Sequence, residues 1–205
     1  MTYDEWQQQE VDLDYVIENF IEEMKPYVDD MECFYSGFCS QGDGASFTGQ
    51  VNILAVLDLI DTNNDHILYR ELMRINELWK TAWVTRKSSR YCHEETMEVD
   101  SYDTVCNSVV PSGLFMGLDL DLVAKEHGCK SEYDFINSLA EPACEEVLDW
   151  LKGKARELYR NLEKEYEYQT SREAYEEWAR DNLSGPVDRE GDSCTVCGLS
   201  SNTSA

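Results

Sequence analysis

The feature that most limits how this chain can fold is its charge. Forty-two Asp and Glu face seventeen Lys and Arg, a formal net charge of −25 over 205 residues. Self-repulsion of that size works against a compact state, and a polar surface can be made with balanced charge. The excess therefore points to a basic partner, with simple solubility as the plainer explanation. The imbalance is uneven. Residues 1–50 carry twelve acids against the single base Lys25, and residues 101–150 carry ten against Lys125 and Lys130.

The apolar fraction of 42% is too high for a wholly disordered acidic chain, so a packed core is expected. The first ten residues hold no basic region and no apolar run, which predicts no signal peptide. The best apolar stretch, 51–60, is about half a membrane span and contains Asp58. A soluble cytoplasmic protein with no membrane contact is expected, and its eight cysteines are then thiols.

Along the chain, Leu13, Val16, Ile17, Phe20, Met24 and Val28 fall on one helical stripe and predict an amphipathic helix over 11–28, bent or ended at Lys25-Pro26. Two aromatic-rich segments flank Gly42-Asp43-Gly44, which predicts a β-hairpin over 33–51. Residues 51–60 and 67–84 read as helices, and 90–100 alternates as a third strand. A short helix over 118–127 is stopped by Gly128, Ser131 caps the next, and Pro142 punctuates it again. Long C-terminal helices follow over 145–182. The first carries Val147, Leu151, Ala155, Leu158 and Leu162 on one face, and the second opens at a capping box, Thr170 to Glu173. The fold class expected is α+β, helix-dominated, with a small antiparallel sheet of the 33–51 hairpin and the 90–100 strand against several helices. A single domain over 1–183 is expected, followed by a disordered cysteine-containing tail over 184–205.

Candidate sites follow from residue type and spacing. Asp12, Asp14, Glu18, Glu22, Glu23, Asp29, Asp30 and Glu32 fall within 21 residues, and Glu94, Glu98 and Asp100 line one side of the expected third strand. Duplex DNA carries one negative charge per about 1.7 Å of axis, and its binders answer with Lys and Arg surfaces. Carboxylates about 6 Å apart on a rigid helix present comparable charge to the same surfaces. These eleven acids are the expected partner-binding set, with Trp6, Tyr15, Tyr27 and Tyr35 as apolar anchors beside them.

Asp61, Asn63 and Asp65 fit the first ligand positions of a calcium loop, but His66 stands where glycine belongs and Glu71 arrives one residue early for the bidentate acid. A polar helix–helix turn explains the same residues. Cys194 and Cys197 supply two of the four ligands that zinc needs, and no complement with ligand spacing accompanies them. No metal or other cofactor is expected. A glycine loop at Gln41–Gly44 lacks the lysine of a phosphate loop. With Asp43 and His93, and with Cys39 as a conceivable nucleophile, it defines an alternative of a small enzyme or metal-binding protein. Nothing local activates that thiol, and catalysis is the minor expectation. Arg156, Glu157, Arg160, Glu163, Lys164, Glu165 and Glu167 mix signs at helical spacing, as a solvated face does.

Residues 34–49, Phe-Tyr-Ser-Gly-Phe-Cys-Ser-Gln-Gly-Asp-Gly-Ala-Ser-Phe-Thr-Gly, resemble a signature of small uncharacterised proteins encoded by bacteriophages and mobile elements. Tyr91 to Glu94 is similar to their middle strand and Leu158 to Ser171 to their C-terminal helical segment, so the likeness spans 33–182. The acidic N-terminal helix and the cysteine tail lie outside it. The resemblance carries no catalytic residue. It implies a setting, a phage-type protein in a bacterial cytoplasm that inhibits a host factor. The expected function is thus a non-enzymatic acidic inhibitor, in the manner of a DNA mimic. It would occupy the basic, nucleic-acid-binding surface of a bacterial host or defence protein without itself binding nucleic acid. An antitoxin-like partner of a basic toxin is a further alternative.

Overall fold

The computed structural model describes residues 1–7, 9, 11–38, 43–75, 81–88, 90–99, 114–115 and 118–183. It divides into two compact units, residues 12–166 and a smaller one of residues 1–11 with 167–205. The expected tail over 184–205 lies outside the described residues.

The larger unit opens with α2 (Asp14–Met24), after α1 of the other unit (Tyr3–Trp6). Leu13, Phe20 and Met24 bury the apolar stripe, while Asp14, Glu18, Glu22 and Glu23 face water. The helix covers less than the expected 11–28: it stops at Met24 because Pro26 cannot continue the ladder, and Val28, expected on its stripe, is the first residue of a strand. The chain then enters β1 (Val28–Tyr35), which pairs antiparallel with β2 (Ala45–Asn52). Tyr35 stands opposite Ala45, so the ladder ends well before Asp43-Gly44 and the strands are not joined by a two-residue Asp-Gly turn; residues 39–42 between them lie outside the described residues. Ser36 donates its backbone N–H to Gly44 O at 3.0 Å and accepts from Gly44 N at its Oγ at 3.2 Å.

Asn52 caps α3 (Ile53–Ile60), its side chain accepting from Ala55 N. A turn leads to α4 (Ile67–Ile75), which buries Tyr69, Leu72 and Met73. The helix expected to run to residue 84 ends earlier, and 81–86 form a strand, β3 (Thr81–Arg86). Thr81, Val84 and Thr85 are β-branched and burial alternates, with Ala82 and Val84 buried and Trp83 exposed. β3 lies between β2 and the last strand of the sheet, β4 (Met97–Val99), giving the antiparallel order β1-β2-β3-β4. The third strand expected over 90–100 is thus reduced to three residues. His93 caps a 3₁₀ turn, Glu94–Thr96, by accepting from Glu95 N, and this ends the extended backbone before β4.

A two-strand ladder, β5 (Leu114–Phe115) with β6 (Leu118–Asp119), precedes α5 (Leu120–Glu126). Gly128 takes the left-handed conformation after α5, φ +74°, as expected of a helix stop. Ser131 accepts from Asp134 N and starts α6 (Glu132–Gln169). Pro142 does not break α6. It is exposed and only removes one ladder hydrogen bond, while Phe135, Ile136, Ala140, Ala143, Val147, Leu151, Ala155, Leu158 and Leu162 hold the helix in the core on both sides of it. Trp150 of α6 meets Tyr27, the residue before β1, at 5.2 Å between ring centroids, and Phe20 of α2 meets Phe47 of β2 at 5.9 Å. The architecture is α+β and helix-dominated with a small antiparallel sheet, as expected, and the sheet has one more strand. Among the described residues no helix is long and apolar enough to cross a membrane.

In the smaller unit, α1 carries a complete capping box of Thr2 and Glu5. Trp6 Nε1 donates to Gln169 O at 3.0 Å and Tyr3 Oη to Thr170 O at 3.2 Å. The last helix, α7 (Arg172–Leu183), is capped by Ser171, which accepts from Ala174 N. The cap expected at Thr170 is displaced because that hydroxyl turns back to Glu167 O. Trp6 meets Tyr175 edge-on at 6.0 Å and Trp178 in a tilted contact at 5.4 Å between centroids.

Candidate functional site

The acids of 12–32 divide between two elements of the larger unit. On α2, Asp14, Glu18 and Glu22 stand in one row at four-residue spacing, with Glu23 beside it. On β1, Asp29, Asp30 and Glu32 are exposed on the outermost strand of the sheet, where the ladder bulges between Asp29 and Glu32. Asp30 takes φ +49°, a conformation that aspartate tolerates better than bulkier residues. Gly49 makes the bulge possible. A Cβ on it would lie 2.7 Å from Asp29 O and 2.7 Å from Val28 Cγ1. Two acids of this stretch have cations. Lys25 pairs with Glu22, and Lys154 of α6 bonds Glu23 at 2.8 Å and Glu157 at 3.0 Å. Burial lowers the pKa of the Lys154 ammonium, and the two carboxylates more than offset it, so the pKa lies above the ordinary lysine value. Among the described residues no cation lies within salt-bridge distance of Asp14, Glu18, Asp29, Asp30 or Glu32, and Asp12 accepts from Asp14 N at 3.0 Å.

The second group of expected acids does not join them. Glu94 is 8% exposed and sits in the 3₁₀ turn, with Oε2 3.0 Å from His93 Nδ1 and Oε1 3.7 Å from an Arg156 Nη1. Glu98 lies on β4 and pairs with Lys87. Asp100 lies outside the described residues. Glu94 is therefore turned inward by the cap at His93, where alternation had placed it beside Glu98 on a strand face. Of the expected aromatic anchors, Tyr15 and Tyr35 are exposed, at 45% and 39%. Tyr27 is half-buried against Trp150, and Trp6 belongs to the smaller unit.

Around Glu94 the chain forms a cleft of about 520 Å³. The chain just before β2 provides Asp43 and Gly44, the 3₁₀ turn provides His93 and Glu94, and α6 provides Arg156, Tyr159 and Arg160. Residues 41 and 42 of the expected Gln41–Gly44 loop, and Cys39, lie outside the described residues. Gly44 is pressed on His93, since a Cβ there would lie 3.0 Å from His93 Cα and 3.2 Å from Cδ2. The chain after β1 is fastened to α6 by Phe38, which stacks on Tyr159 at 5.7 Å and Tyr166 at 4.9 Å, and by the Tyr159 hydroxyl, which donates to Gly37 O at 3.3 Å. Lys152, one turn before Arg156, bonds Glu95 at 3.1 Å, and that bond is the chief cause of the lowered Glu95 pKa. Sequence reasoning brought Asp43 and His93 together and missed both arginines, whose helical spacing reads as solvated surface.

The 61–65 turn is committed to folding. Burial raises the Asp61 pKa, but Arg70 at 2.9 Å and the backbone N–H groups of His66 at 3.1 Å and Asp65 at 2.7 Å outweigh it, and the net shift is downward. Its side chain is 1% exposed and caps the approach to α4. Asn63 and Asp65 point to solvent as ordinary turn residues. Among the described residues no group of three or more His, Cys, Asp or Glu is placed to hold a metal ion, and Cys194 and Cys197 lie outside them. Burial pushes the Cys33 thiol up to about 12.

These features define an α+β protein that combines an acidic helix and edge strand with a small mixed-charge cleft. Residues 10–172 match the model of a family described as a domain of unknown function, DUF8835, and the chain belongs to that family. The match takes in α2, so the acidic helix lies within the family's domain, where the resemblance seen in the sequence had left it outside. No curated protein and no solved structure matches the chain.

Proposed function

We propose that this chain is a non-enzymatic binding protein whose acidic segment, the α2 row together with the β1 edge, occupies a basic, nucleic-acid-binding surface of a bacterial protein. The observation that carries it is the distribution of the scarce cations. Arg70 and Arg74 answer Asp58, Asp61 and Glu71, Lys87 answers Glu98, and Lys152 answers Glu95. Asp14, Glu18, Asp29, Asp30 and Glu32 are exposed and have no cation partner among the described residues, with exposed Tyr15 and Tyr35 on the same two elements. Unpaired carboxylates on rigid elements keep their full attraction for a cationic groove and need no internal ion pair to be broken on docking. The aromatic pair supplies desolvated contact that charge alone lacks.

The likeness of residues 34–49 to phage and mobile-element proteins supplies the setting, a bacterial cytoplasm and a host or defence factor as target. The mechanism is steric and electrostatic competition, with association that is fast in low salt and weakens as salt rises. The test is a pull-down from bacterial lysate with the native chain and with a variant bearing D14N, E18Q, D29N, D30N and E32Q. A basic protein recovered in low salt by the native chain, and lost both in high salt and with the variant, supports competition. Equal recovery by the two chains refutes it.

A further inference from the structure

We propose that the cleft between Asp43 and Gly44, the 3₁₀ turn and α6 is a binding site for a small phosphate monoester that carries hydroxyl groups. Arg156 and Arg160 stand one helical turn apart and both line it. Like charges at that spacing repel, and an anion between them removes the repulsion. Neither guanidinium is fully engaged. Arg160 donates Nε to Arg156 O at 3.3 Å and has no carboxylate within salt-bridge distance among the described residues. Arg156 reaches Glu94 only at 3.7 Å, too far for a hydrogen bond, and its side chain is half exposed. In a chain of net charge −25, two arginines with open donors on one cleft are an unexpected use of cations. Paired guanidinium forks match the oxygens of a phosphate or carboxylate group, and a doubly charged phosphate gains more from two of them.

The opposite wall decides what else the ligand carries. Asp43 and Glu94 are carboxylates that repel a bare anion, and with about four lone-pair sites each they accept from ligand hydroxyl groups in addition to their contacts within the chain. A ligand with phosphate at one end and hydroxyls at the other satisfies both walls. The volume of about 520 Å³ lies within the range of ligand pockets and admits a pentose phosphate or a nucleoside monophosphate. The walls are also held in place. Phe38 is stacked between Tyr159 and Tyr166, Ser36 and Gly44 bond each other, and Gly44 has no room for a side chain against His93. A wall fixed in this way limits the ordering that binding would otherwise require on the side of Asp43 and Gly44.

The experiment is a titration of the full chain with ribose 5-phosphate, followed by calorimetry and by backbone amide NMR shifts, with ribose and inorganic phosphate as separate probes. Saturable binding of ribose 5-phosphate below about 10 mM, with shifts at Gly44, His93 and Arg160, is expected, and at least about tenfold weaker binding of each separate probe. Arg160→Gln weakens ribose 5-phosphate binding by about tenfold or more. It lies on an exposed helix position and breaks no ion pair among the described residues, so folding is retained, as its amide spectrum will report. The five-site acidic variant used above binds ribose 5-phosphate no worse than the native chain, which separates this site from the protein-binding one. No saturation by about 10 mM, shifts elsewhere in the chain, or equal affinity in Arg160→Gln overturns the assignment. Equal affinity for inorganic phosphate overturns the role given to Asp43 and Glu94.

Discussion

Replacing Asp61 with alanine removes one carboxylate from three donors at once. Asp65 N, His66 N and an Arg70 Nη1 lie at 2.7, 3.1 and 2.9 Å from it, and the side chain is 1% exposed. Each lost helix-entry acceptor costs about 1 kcal/mol. Arg70 is not orphaned, because its Nε keeps Asp58 at 2.9 Å, so its share is another 1 kcal/mol or so. The sum is about 3 kcal/mol, which for a chain of this length lowers the melting temperature by about 6–12 °C. Asp61→Asn keeps an acceptor oxygen and loses the charge, and falls between the two. Asp65→Asn, exposed, stays within about 0.5 kcal/mol of the native chain. Thermal melts by circular dichroism, repeated with millimolar calcium, measure all of this. Calcium should not move the native midpoint, because Asp61 already faces the Arg70 cation. A loss below about 1 kcal/mol in Asp61→Ala, or a calcium-dependent rise in the native midpoint, refutes the structural role.

Gly49→Ala places a Cβ 2.7 Å from Asp29 O and Val28 Cγ1, so urea unfolding should show a loss of about 2 kcal/mol, and an unchanged midpoint would mean that the bulge does not press on Gly49. The Cys33 thiol has a folded pKa of about 12 against about 9 unfolded, so the folded state holds the proton longer and stability falls as pH rises from about 9 toward 12. Cys33→Ser melts over that range should show a shallower alkaline loss than the native chain, and identical slopes would contradict the assignment. Asp61 works in the opposite direction. Its depressed pKa means that its contribution is present above the unfolded carboxyl value of about 3.9 and disappears as acid protonates it, so Asp61→Asn should flatten the acid limb of the stability curve.

What the sequence showed was periodicity that one element could satisfy alone. The Leu13–Phe20–Met24 stripe, the Val147–Leu162 face, the stop at Gly128 and the cap at Ser131 are local, and each stands as expected. β3 was hidden because its apolar residues continue the run of α4, although Thr81, Val84 and Thr85 are β-branched and Ala82 and Val84 alternate with Trp83. Glu94 was misplaced because alternation from 91 to 99 cannot tell a strand from an extended approach to a capped turn. Pro142 reads as a helix break in sequence, but a proline at an exposed helix position loses one bond while the buried face on either side persists. The cleft was invisible for a different reason. Arg156 and Arg160 meet Gly44 and His93 only through contacts about a hundred or sixty residues distant in sequence, set by where Phe38 inserts between Tyr159 and Tyr166. No local pattern encodes that meeting.

The central claim is that the carboxylates of α2 and β1 stand in for a nucleic-acid backbone. It is tested most directly by displacement of labelled duplex DNA from the basic protein recovered in the pull-down. The native chain should release the DNA at low salt, while the chain carrying D14N, E18Q, D29N, D30N and E32Q should leave it bound. A ternary complex in which target, DNA and this chain are held together, or equal release by both chains, would contradict it.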